Sequence, residues 1–104
     1  MKEVKCTELK KMIDAKEDFQ LIDVREEYEA DIASIGGELI PMGDVIDSLD
    51  KISKNKKVVV YCRTGNRSGV ITQALEARGF ANVFNLKGGI HKWSEEIDPA
   101  ITKY

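Results

Sequence analysis

The chain has 104 residues, 42% hydrophobic and 33% charged, a composition that suits one soluble domain with a single core across residues 1–104. A net charge of −2 and a pI of about 5.4 leave no basic footprint for nucleic acid. No apolar run nears the roughly 20 residues of a membrane span, and "MKEVKCTELK" lacks the apolar stretch of a signal peptide, so the expected setting is the cytoplasm, away from any membrane.

In chain order, residues 7–16 ("TELKKMIDAK") read as a helix that Thr7 can cap, with Leu9, Met12 and Ile13 on one face. "FQLIDV" at 19–24 reads as a strand. "REEYEADI" then starts a short helix whose early acids suit the helix dipole. "GELIPM" at 37–42 is a short strand ended by Pro41. "GDVIDSLDKI" at 43–52 reads as a helix with Val45, Ile46, Leu49 and Ile52 on one side. "KKVVVYC" ending at Cys62 carries the unbroken β-branched run of a strand buried on both faces. Residues 67–78 read as the strongest helix, with Val70, Ile71, Ala74 and Leu75 as its apolar stripe and Gly79 as a C-terminal cap. "NVFNL" at 82–86 is the last strand, and "KGGIHKWSEEI" a double-glycine turn into a terminal helix. Roughly five strands alternate with helices, which predicts an α/β domain with a largely parallel sheet.

The two cysteines, Cys6 and Cys62, form no CxxC and no metal spacing, and with His91 as the lone histidine no metal ligand set is evident. A reducing compartment disfavours a disulfide between them, so both read as free thiols. Their surroundings differ. Cys62 ends the central strand and is followed by Arg63, Thr64, Gly65, Asn66, Arg67 and Ser68 before a helix begins. In an open parallel sheet, ligands bind at the carboxyl ends of the strands. Loop N–H groups and a helix N-terminus can converge there on one anion. A free thiol titrates near ~8.5, and such a setting lowers it. Arg63 and Arg67 add positive charge, Gly65 permits an unusual backbone turn, and Thr64, Asn66 and Ser68 supply polar groups. An inert core cysteine needs none of these neighbours.

Three segments in order, "LIDVREEYE", "VVVYCRTGNRS" and "GFANVFNLKGGIHKW", resemble those of single-domain rhodaneses, the thiosulfate-type sulfurtransferases. The resemblance covers nearly the whole chain. It implies a five-stranded parallel sheet with helices on both faces. It further implies that Cys62 becomes a persulfide on taking sulfur from an anionic donor such as thiosulfate, then yields it to cyanide, a thiol or a protein acceptor, with no cofactor. The loop N–H groups from Arg63 to Ser68 would surround the persulfide, and Arg63 and Arg67 would attract the donor. Phosphatases sharing this fold place five residues between cysteine and arginine, and here Cys62 and Arg67 enclose four, which suits a sulfur atom. A phosphatase and a sulfur-carrier module serving one protein partner are the alternatives. The stretch "ADIASIGGELIPM" departs from the family's usual His-Ile-x-Gly-Ala, which leaves the acceptor side of the pocket open.

Other residues read as structural. Arg25 is expected to pair with an acid such as Glu29 and fix its loop. His91 reads as a surface or packing residue, Trp93 as core or a lid on the sheet edge, and Cys6 as structural. The four lysines of "KISKNKK" read as a solvated helix end.

Overall fold

The computed structural model describes all of residues 1–104. One sheet of five strands carries the fold, with β1 (Glu3–Val4), β2 (Gln20–Asp23), β3 (Glu38–Leu39), β4 (Val58–Tyr61) and β5 (Val83–Leu86) in the order β1-β5-β4-β2-β3, every neighbouring pair parallel. The helices are α1 (Cys6–Asp14), α2 (Glu27–Ile32), α3 (Asn66–Ala77) and α4 (Gly89–Glu96). None of them is long and apolar enough to cross a membrane.

The central strand follows from its residues. All four of Val58–Tyr61 are buried, as a β-branched run covered on both faces requires. Side chains alternate along it. Val58, Val60 and Cys62 join Ile71 and Leu75 of α3 in one core; Val59 and Tyr61 join Leu9, Ile90 and Trp93 under α1 and α4 in the other. This alternation puts the Cys62 side chain on the α3 side. The chain leaves β2 outward to β3 but leaves β4 the opposite way to β5. The loops after β2 and β4 therefore diverge and open a crevice at the carboxyl edge.

Several local expectations change. The fifth strand is β1, two residues that the sequence reading passed over; it is held by pairing Glu3 with Asn85 and Val4 with Leu86. Thr7 does not cap α1. The helix starts at Cys6, with the Glu8 carboxylate accepting the Lys5 N–H at 2.8 Å. Residues 43–52 form no α-helix but two 3-10 turns, Met42–Asp44 and Ile46–Lys51, broken at Ser48. On α3, Val70 is exposed, and Ser68, Gly69, Ile71, Thr72 and Leu75 make the buried face. The lysine segment is solvated as expected, with Lys56 and Lys57 facing Asp18 and Glu17.

Candidate active site

Cys62 follows the last residue of β4, and its side chain is buried. The loop turns back at once through Gly65, whose φ of +102° is costly for any residue with a Cβ. This turn points the Gly65 N–H at Cys62 Sγ, 3.1 Å away. Gly65 is also the N-cap of α3, and no side chain caps that helix, so its first N–H groups remain available to an anion.

The double glycine after β5 explains how the loop is held. The Ile90 and His91 N–H groups at the start of α4 donate to the carbonyls of Cys62 (3.0 Å) and Arg63 (2.9 Å). A trans peptide directs its N–H away from its carbonyl. Tying these two carbonyls to α4 therefore turns the N–H groups of Arg63 and Thr64 to the opposite side. The approach needs glycine: a Cβ on Gly89 would stand 2.5 Å from both carbonyl oxygens.

Ser68, in the first turn of α3 and fully buried, brings its hydroxyl within 3.3 Å of Cys62 Sγ. The same hydroxyl lies 2.5 Å from Oδ1 of Asn85, a buried residue of β5, whose Nδ2 donates to the Gly65 carbonyl at 3.1 Å. Burial opposes ionisation of Cys62 most strongly. The Ser68 hydroxyl and the N–H groups of Ser68, Gly65 and Thr64 outweigh it together, and the thiol is held below its ordinary value.

The charges arrange themselves differently from the sequence expectation. Arg67 is not free. Both ends of its guanidinium are bound by the Glu29 carboxylate, at 2.7 and 2.8 Å. That bidentate bond is the main reason why Glu29 is held down at about 2 and why Arg67 is raised further. Arg25 pairs with Asp23, at 2.9 and 2.7 Å, and not with the Glu29 carboxylate; from Glu29 it takes only the backbone carbonyl, at 3.3 Å. Tyr104 closes this cluster. Its hydroxyl accepts from Arg25 at 2.8 Å and donates to Glu29 at 3.2 Å, and its ring lies 5.1 Å from the Arg63 guanidinium.

The structure thus brings Cys62, Gly65 and Ser68 together around one sulfur. It leaves Arg63, Thr64 and Asn66 exposed on the rim and draws Arg67 towards α2. Asn85 and Tyr104 were not singled out from sequence, and Glu29 only as a partner for Arg25, where the structure gives it to Arg67. Asn85 carried a readable signal, a polar side chain inside an apolar strand. His91 sits near the surface, 3.9 Å from Glu95, and Trp93 is core. Both cysteines are free. No three His, Cys, Asp or Glu side chains converge as a metal site. A cleft of about 450 Å³ lies beside the double glycine, lined by Lys5, Cys6, Thr7, Lys87, Gly88, Lys92 and Glu96; Cys62 takes no part in it.

A model of the rhodanese-like domain matches residues 5–96. The chain belongs to the rhodanese-like family. Among curated relatives, it is 37% identical over 100 residues to "Putative sulfurtransferase YtwF" of Bacillus subtilis, covering 95% of this chain and 96% of that protein. It is 34% identical to the maize "Adenylyltransferase and sulfurtransferase MOCS3-2", covering 97% of this chain but 23% of that longer one. The crystal structure of a rhodanese-like domain protein from Staphylococcus aureus superposes with a TM-score of 0.85 at 30% identity, over 100% of this chain and 99% of that one. The rhodanese-like fold, with its five-stranded parallel sheet and helices on both faces, is the architecture described above.

Proposed function

We propose that this rhodanese-like chain transfers sulfane sulfur through a Cys62 persulfide, with residues 1–104 acting as one domain. The observation that carries the reading is the environment of Sγ: a buried sulfur that meets the Gly65 N–H at 3.1 Å and the Ser68 hydroxyl at 3.3 Å. Such donors favour a thiolate, which is the nucleophile, and they favour equally an anionic sulfur bonded to it.

The steps balance without a cofactor. The Cys62 thiolate attacks the outer sulfur of thiosulfate, a new S–S bond forms, and sulfite departs with the electron pair of the old one. A thiophilic acceptor, cyanide or a thiolate, then attacks the outer sulfur of the persulfide and releases the Cys62 thiolate. Arg63 is the loop's exposed cation and the better candidate to attract a dianionic donor, because Glu29 neutralises Arg67. The four residues between Cys62 and Arg67 give a tight loop sized for one sulfur, which supports this chemistry over phosphoryl transfer.

A protein partner on either side of the reaction is the second reading. The exposed rim of Arg63, Thr64 and Asn66 can face a protein surface, and a relative joins adenylyltransferase and sulfurtransferase in its name. The test is intact mass after incubation with thiosulfate. We expect a gain of one sulfur atom that cyanide or a reductant removes, abolished in Cys62→Ser and retained in Cys6→Ser. An adduct that survives Cys62→Ser would overturn the assignment. An adduct formed only with a persulfide-bearing protein donor, and not with thiosulfate, would favour the protein relay.

A further inference from the structure

A serine hydroxyl has one proton, and two acceptors claim that of Ser68. Cys62 Sγ lies 3.3 Å away and Asn85 Oδ1 2.5 Å away. The orientation of the Asn85 amide is not free. Its Nδ2 donates to the Gly65 carbonyl at 3.1 Å, and an amide turned the other way would set two oxygens against each other there. Oδ1 must therefore face Ser68, and as an acceptor it requires the hydroxyl proton. All three side chains are at least 97% buried, so water does not readily replace either partner.

We propose that Asn85 is a positioning residue for Cys62. By holding the Ser68 proton it presents a hydroxyl lone pair to the resting thiol, and the proton turns to the sulfur only when the sulfur is an anion. In the resting state the Cys62 S–H donates to Ser68 Oγ while Ser68 donates to Asn85. Once the thiol proton has left to solvent, or the outer sulfur of a persulfide carries the charge, the hydroxyl rotates and donates to sulfur. No proton passes between these side chains; a single rotation changes the partner. Asn85 thus opposes ionisation through Ser68, and it also steadies the Gly65 turn whose N–H supports the anion.

The charged and titratable groups on the elements packed against Cys62 are Arg63 in the loop, Arg67 of α3 with Glu29 of α2, Asp23 at the end of β2 with Arg25 after it, Tyr104, and His91 of α4, with Lys87 before the double glycine on the Cys6 side. Substitutions of Ser68 or Asn85 leave all of these charges in place. A change in Cys62 ionisation would then report the hydroxyl.

The experiment is a pH titration of the thiolate by its ultraviolet absorbance, with Cys62→Ser as the reference for subtraction. Cys6, raised to about 11, stays protonated across the relevant range. Wild type, Asn85→Ala, Ser68→Ala and the double variant complete a cycle. Asn85→Ala should move the midpoint to lower pH and raise the thiolate fraction on its acid side about tenfold, the worth of one donor to a charged group. In the Ser68→Ala background the same change should have no such effect. If Asn85 serves only to brace the Gly65 turn, its loss moves the midpoint up or leaves it, and does so alike in both backgrounds; either result overturns the proposal. Asn85→Val, which suits a strand, repeats the test if the alanine variant fails to fold. No sulfur donor is used, so failure here is distinct from failure of the sulfurtransferase reading, on which only the catalytic meaning of the proposal rests.

Discussion

Glu29→Gln tests the charge pair that takes Arg67 away from the donor. The Glu29 carboxyl is drawn from 4.5 to about 2, chiefly by its bidentate bond with Arg67. A carboxyl lowered in the folded state binds its proton less readily there than in the unfolded chain. The stability it gives is complete above about 4.5 and is lost as pH falls through about 2. The gap, 4.5 less about 2, at about 1.4 kcal/mol per pH unit, sets a ceiling of roughly 3 kcal/mol. The Glu29 side chain is 6% exposed but that of Arg67 is 34% exposed, and screening at that end reduces the contribution to about 1–2 kcal/mol. Urea denaturation across pH reads this directly. Wild type should lose about 1–2 kcal/mol more than Glu29→Gln on acidification through that window, and the variant should be the less stable of the two at neutral pH. Glu29→Gln also leaves the Arg67 charge without a counter-ion beside Cys62, so the apparent KM for thiosulfate should fall and its salt dependence steepen. Equal acid sensitivity in the two proteins, with an unchanged KM, would refute the reasoning.

Arg63→Ala should raise the apparent KM for thiosulfate several-fold and flatten the response of initial rates to ionic strength, because it removes the exposed rim cation; an unchanged KM leaves Arg63 without this role. Gly89→Ala should lower stability in urea by about 1–3 kcal/mol, the cost of overpacking a tight site, and slow sulfur transfer. Its Cβ would stand 2.5 Å from the Cys62 and Arg63 carbonyls that α4 holds, so a stable and fully active variant would contradict the account of how the loop is fixed.

What could be read in the sequence was what local chemistry dictates. Val58–Tyr61 announces a doubly covered strand by its β-branched run, and the glycine and polar residues after Cys62 mark a turn at that strand's end. β1 was invisible because two residues have no periodicity of their own; its pairing with β5 makes it a strand. Arg25 pairs with a nearby acid as expected, but that acid is Asp23 and not Glu29. The chain stays extended through Val24, where residues two apart share a side, so Asp23 meets Arg25. The Arg67–Glu29 pair spans 38 residues, and Asn85 and Ser68 meet across 17, distances over which only the folded sheet decides neighbours. Val70 shows the converse limit: it is apolar and at helical spacing, yet α3 buries Ser68, Gly69 and Thr72 where the loop and β5 press closest.

The two thiols show why burial alone does not decide ionisation. Each is 1% exposed. The hydrogen-bond partners of Cys6 Sγ are acceptors, the Lys87 carbonyl at 3.9 Å and the Gly89 carbonyl at 3.8 Å, which stabilise S–H. Burial, with Glu96 adding to it against Lys92, pushes that thiol up to about 11. Around Cys62 the backbone offers donors, and the same burial is overcome. The Gly88–Gly89 turn produces both outcomes. It lends Cys6 a carbonyl, and by leading into α4 it ties up the Cys62 and Arg63 carbonyls that would otherwise be free to face the sulfur. Direction of the peptide dipoles, set by one turn, is therefore what separates a thiol held protonated from one whose thiolate is favoured in this chain.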